Sequence, residues 1–165
     1  MVRKKGKRPQ IGDVIEFQTS KGLAYAQYTH EHTKPPWCYG SLLRVMAGTF
    51  TERPDLSEVV KKKDQFVTFF PLRAELKMKD TVFQIVGNEP IPERAIQFPV
   101  FRSGLPDRDG KVHVWWLWDG DKSWKVGKLT PEEIRSYPGS GIMNDTALIE
   151  MVENGWTSWH PQGRE

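Results

Sequence analysis

The chain has 165 residues, 38% of them hydrophobic, and a net charge of +3 set by 24 basic and 21 acidic side chains. That size supports one domain with its own core. The single cysteine, Cys38, excludes an internal disulfide and a cysteine-rich zinc site, and no apolar run approaches the roughly 20 residues that cross a bilayer.

Five of the basic residues, Arg3, Lys4, Lys5, Lys7 and Arg8, precede residue 10, so the remainder of the chain is slightly acidic. Residues 1–10 read as a basic, disordered tail, because termini with few apolar groups have nothing to hold them down. No hydrophobic segment follows that charge, as a secretory signal would require. The expectation is a soluble, cytoplasmic protein that does not enter a membrane and that meets nucleic acid, if at all, through this tail.

Residues 11–160 read as one α+β domain. Ile15 and Phe17 alternate with Glu16 and Gln18, the pattern of a half-buried strand with Glu16 and Gln18 facing water. Ser20-Lys21-Gly22 reads as a turn into a second strand, Leu23 to Thr29, completing a hairpin. His30 to Gly40 carries Pro35-Pro36 and reads as a loop. Leu42 to Phe50 is a third strand. Asp55, with Glu58 three residues on, predicts a short helix, and Phe66 to Phe70 a fourth strand. Leu72 to Lys79 is compatible with either helix or strand. Val82 to Val86 predicts a strand, and the Pro99-containing run from Phe98 to Phe101 an edge strand or none.

Four of the seven tryptophans fall in the run VHVWWLWDGDKSWKVGK, from Val112 to Lys128. Its spacing predicts a hairpin turning at Asp119-Gly120. Both faces of the first strand are apolar, which makes it central and covered and assigns Trp115, Trp116 and Trp118 to the core, with Trp124 structural beside them. Thr130-Pro131-Glu132-Glu133 starts one helix. Asn144-Asp145 starts another, stopped by Gly155. Strands grouped before helices predict an α+β fold with a mainly antiparallel sheet, two or three short helices, and an N-terminal half that can be barrel-like.

No pattern for turnover stands out. His30-Glu31-His32 places two imidazoles on one face of an extended segment, where a metal could sit with a carboxylate, but an exposed polar turn explains the triplet as well, and no metal or cofactor is expected. Phosphate-binding glycine motifs and the G-x-S-x-G elbow are absent. Asp107, Asp109, Asp119 and Asp121 occupy predicted turns, which Asp favours for its own reasons. Trp124 with Lys122, Lys125 and Lys128 interleaves an aromatic with cations, as single-strand nucleic-acid binders do. The near-neutral body argues against that.

Several segments read together resemble the immunity protein 26 family of bacterial polymorphic-toxin systems. They are Lys7 to Val14 (KRPQIGDV), Leu23-Ala24-Tyr25-Ala26-Gln27, Gly87-Asn88-Glu89-Pro90-Ile91-Pro92, Pro99-Val100-Phe101 and the late tryptophan-rich strand, so the resemblance runs from about Ile11 to Trp156. It implies a cofactor-free α+β protein, encoded beside a toxin, that binds this cognate toxin in the cytoplasm and occludes it without catalysis. Exposed aromatics are what such a binder needs, and Trp37 and Tyr39, with His30 and His32 beside them, are the expected partner-binding residues. The alternatives are a nucleic-acid-binding or regulatory β-rich module, and a hydrolase, since some relatives carry a phosphotriesterase label. No catalytic set of that kind maps onto this chain.

Overall fold

The structure, a computed structural model, describes residues 8–157. Most of the basic tail, together with Trp159 and His160, lies outside the described residues. The alternating patterns near the start give two long strands, β1 (Asp13–Thr19) and β2 (Gly22–His32), joined by the predicted tight turn. Gly22 makes that turn with φ +127°, and a Cβ there would meet the Phe50 carbonyl oxygen at 2.6 Å. Two further strands add on one side, β3 (Gly40–Met46) and β4 (Asp64–Phe69), and β5 (Phe83–Asn88) adds on the other. The order is β4-β3-β2-β1-β5, antiparallel throughout. This sheet is open, with β4 and β5 at its edges, so the barrel-like form expected for the N-terminal half is not what forms.

Among the described residues four short α-helices, more than the two or three expected, interrupt or follow the strands. α1 (Leu56–Val59) starts at Asp55, whose carboxylate accepts from the Ser57 N–H. α2 (Leu72–Lys77) occupies the segment whose pattern left helix and strand open. α3 (Pro131–Ser136) is capped by Thr130 and α4 (Asp145–Glu153) by Asn144, each side chain accepting a hydrogen bond from the N–H three residues on. No helix among the described residues is long and apolar enough to cross a bilayer.

The large sheet is covered on both faces. Ile15, Phe17, Ala26, Tyr28, Leu43 and Val45 form one face, packed by Leu72 of α2 and by Leu148, Met151 and Val152 of α4. Phe17 stacks on Phe83 at 4.8 Å. The other face carries Val14, Tyr25 and Met46 under α1, with Glu16, Gln27 and Arg44 buried among them. Glu16 is 4% exposed, so the expectation that it faces water is corrected. An antiparallel sheet can leave one face wet, but here α1 and a second sheet occupy it; Gln18, nearer the strand end, does stay exposed.

That second sheet is β6 (Phe101–Ser103), β7 (Trp115–Trp118) and β8 (Ser123–Gly127), with the tryptophan hairpin turning at residues 119–122 as predicted. Phe101 and Trp118 pack on Leu42 and Phe69 of the large sheet. The segment 138–143 sews the two together: it pairs with Arg102 through Pro138 O and Ser140 N, and then donates from Met143 N to Phe69 O at 2.9 Å.

The most demanding buried group is Arg44, which is 1% exposed. Its Nε donates to Asp64 at 2.7 Å, Nη1 to Gln27 Oε1 and the Val60 carbonyl, and Nη2 to the Lys62 carbonyl. A buried charge is tolerable when its donors are matched in this way. Replacing it leaves acceptors dry, although Asp64, which is partly exposed, can rehydrate. Arg44→Met is therefore expected to lower the unfolding free energy by about 3 kcal/mol, read as a lower urea midpoint at unchanged slope. A midpoint equal to that of the parent protein would show that the network contributes nothing net.

Candidate functional site

The loop between β2 and β3 presents the most exposed large aromatic near the seam between the sheets. Trp37 is 67% exposed. It stacks on Tyr39 at 6.3 Å, and Tyr39 stacks in turn on Phe69 at 4.9 Å. The loop is held from beneath. Cys38 N–H donates to the Lys34 carbonyl and the Cys38 thiol to the Thr33 carbonyl. The Pro35–Pro36 peptide is cis and Cys38 sits in the left-handed region at φ 45°. Lys34 pairs with Asp121 of the tryptophan hairpin, tying the loop to the second sheet.

His32 is the pivot under this loop. The Tyr39 N–H donates to its Nδ1 at 3.1 Å, and its Nε2 donates to the Gly120 carbonyl at 2.8 Å. A backbone N–H can only donate and a carbonyl can only accept, so the ring carries its proton on Nε2. The ring stands edge-on to Trp118 at 4.9 Å and lies against Tyr39, Phe69 and Phe98. Gly120 is required here: at φ +95°, with Phe98 only 2.8 Å from where a Cβ would be, no side chain fits.

Of the four residues expected to meet a partner, Trp37 is exposed and Tyr39 half-buried beneath it. His30 is also half-buried; its Nδ1 faces Thr29 Oγ1 and its Nε2 the Ile96 carbonyl. His32 is buried with both nitrogens engaged, which corrects its assignment as a contact residue: it supports the loop from inside. A metal held between His30 and His32 would meet the same obstacle, since none of the four ring nitrogens is left open. Among the described residues no three His, Cys, Asp or Glu side chains are placed to hold a metal ion.

The tryptophan hairpin divides its residues. Trp115 and Trp118 are buried, as is Leu117. Trp116 and Trp124 are 41% and 40% exposed, so their assignment to the core is corrected. The reason is the width of the cover. Phe69 and Tyr39 reach Trp118, but Trp116, two residues back along the same strand face, lies past them, and β8 is exposed almost throughout. Trp156 is also exposed. Its backbone carbonyl, which accepts from Gln65 Nε2 at 3.0 Å, ties the end of α4 to β4.

Two ionic groups were not legible as site residues. Glu16 accepts from Arg53 Nε at 2.7 Å and Nη2 at 3.0 Å, from the Tyr25 hydroxyl at 2.7 Å and from Gln84 Nε2 at 2.9 Å. Hydrogen bonds from Arg53 outweigh burial and, with those from Tyr25 and Gln84, hold this carboxyl below its usual 4.5. Burial and the adjacent carboxylate push the Tyr25 phenol well above 10. Arg102 lies in β6, almost fully buried, with Nε donating to the Ile134 and Tyr137 carbonyls and its guanidinium 5.4 Å over Trp115. Charged residues inside apolar strand runs were the available signal for Glu16 and Arg44, but their partners come from distant segments.

Asp107 and Asp119 behave as turn residues. Asp107 Oδ1 accepts from the Asp109 and Lys111 N–H groups, and Asp119 Oδ1 from those of Asp121 and Lys122. Asp107 also meets His113 at 2.6 Å on an exposed surface. No family model, curated protein or solved structure matches the chain.

Because the folded Glu16 carboxyl is held below its unfolded value, the stability it contributes is complete above about pH 4.5 and drains away as pH falls through the lowered value. Other carboxylates, Asp55 beside Ser57 and Asp107 beside the Lys111 N–H, are lowered too, so the difference between parent and Glu16→Gln isolates this one. Chemical denaturation across acid pH should show the two curves converging as pH falls. Parallel curves would refute the assignment.

Proposed function

We propose that this protein is an immunity-type binder that neutralises a cognate bacterial toxin by occluding it in the cytoplasm, with no bond made or broken. The observation that carries this reading is the Trp37 ledge: an indole two-thirds exposed, stacked on Tyr39 and Phe69 and standing on a loop tied to His32 and Asp121. An aromatic presented on a pre-ordered support loses little freedom on docking, which is how interface anchors concentrate binding energy. The resemblance to immunity protein 26 across most of the chain supports the same reading.

A nucleic-acid-binding module is the second reading, favoured by the exposure of Trp116 and Trp124 beside Lys122, Lys125 and Lys128. The register weakens it. Trp116 stands opposite Lys125 and Trp124 opposite Leu117, so the two indoles leave opposite faces of the ribbon and form no common stacking platform. Affinity for single-stranded oligonucleotides that falls steeply with salt would favour this reading.

The test is co-expression with the toxin encoded beside the gene. The parent protein should rescue growth and co-purify with the toxin. Trp37→Ala should change stability by no more than about 0.5 kcal/mol, yet weaken the complex by about 2 kcal/mol, roughly 30-fold in Kd. Full protection by the Trp37→Ala protein would remove this ledge from the interface, and absence of any complex would count against toxin binding itself.

A further inference from the structure

On the face of the large sheet away from α4, a cavity of about 400 Å³ opens between β3–β4 and the segment from Arg94 to Val100. That volume is in the range of small-ligand sites. Its polar end is built by two arginines that share one acceptor. Arg44 Nη2 donates to the Lys62 carbonyl at 2.9 Å, and Arg94 Nη2 donates to the same oxygen at 2.5 Å and to the Lys61 carbonyl at 2.9 Å. Arg94 stands in a 3-10 turn, Glu93–Ala95, and lines the cavity while making these bonds. Two guanidinium groups are thereby held side by side.

The charges there do not balance. Asp64 pairs with Arg44, and no carboxylate among the described residues pairs with Arg94. Arg94 spends only Nη2 on protein acceptors, so its Nε and Nη1 keep three N–H donors for something else. Binding two carbonyls in the segment after α1 explains the two bonds it makes, but not a second guanidinium brought next to a buried one without its own counter-ion. The other walls are mostly apolar: Val67, Phe98, Val100 and Pro138 line the cavity, with Thr29 and Gln97 as the neutral polar residues among them.

We propose that this cavity binds a small ligand that joins a single carboxylate to a planar apolar body. The free Nε and Nη1 donors of the Arg94 guanidinium can each give a charge-assisted hydrogen bond to a carboxylate oxygen. One uncompensated positive charge calls for a monoanion, and a dianionic phosphate would set excess negative charge beside Asp64. The apolar body lies along Phe98 and Val100. Trp37 is not part of this cavity, so the inference stands apart from toxin binding.

Phenylacetate is the probe, titrated into the full chain by calorimetry and by amide chemical shifts. It should bind saturably with one-to-one stoichiometry and shift the amides of Arg94, Phe98 and Val100. The neutral analogue 2-phenylethanol and inorganic phosphate should each bind at least about tenfold more weakly. Arg94→Gln, at an exposed position, should raise the phenylacetate Kd by about tenfold or more. Arg94→Lys, which keeps the charge and loses the fixed donor directions, should fall between the two. The proposal is overturned if phenylacetate fails to saturate at millimolar concentration, if the alcohol or phosphate binds as well, or if both Arg94 variants bind as the parent does.

Discussion

A buried guanidinium sets the terms for the rest of this fold. Arg44 must find acceptors because an unmatched charge inside a protein is far costlier than the packing it displaces. It takes them from β2, from β4 and from the carbonyls at 60 and 62. That fixes the path of the chain between α1 and β4. The Lys62 carbonyl so fixed is the one that Arg94 also binds, which draws the 93–100 segment over the sheet. Phe98 then lies against His32 and Trp118, and the second sheet has a surface on which to dock.

The aromatic residues fall into an interior group and a surface group. Phe69, Phe101, Trp118 and His32 form a dry seam between the two sheets, where ring edges and faces contribute beyond the area they bury. Trp37 sits at the outer end of that seam, joined to it through Tyr39. Trp116 and Trp124 lie outside it and on opposite faces of their ribbon. A binding role is physically simplest at Trp37, where exposure and a stiff support coincide.

Polar groups inside this protein are matched rather than left to water. The face of the large sheet that alternation assigns to solvent carries Glu16, Gln27 and Arg44, each bonded to a distant segment. These groups join loops to the sheet and so convert a wet face into an interface. Arg94, at the surface, differs from them in using only Nη2 on protein acceptors.

Local patterns determined much of the architecture. Alternation in β1 and β2, the Asp119-Gly120 turn, and the caps at Asp55, Thr130 and Asn144 are short-range signals, and the elements formed where those signals stood. The antiparallel α+β class followed from their order. Tertiary structure alone decided which faces are covered. The two-faced apolar pattern of the tryptophan strand held for Trp115, Leu117 and Trp118 but not for Trp116, because cover depends on how far a neighbouring sheet extends and not on the strand's own period. Glu16 and His32 look like surface groups in sequence, since one alternates with apolar residues and the other follows a polar run. They are interior because Arg53, Gln84 and Gly120, between 37 and 88 residues away along the chain, come to meet them. Periodicity records which way a side chain points, and only the folded chain supplies what it points at.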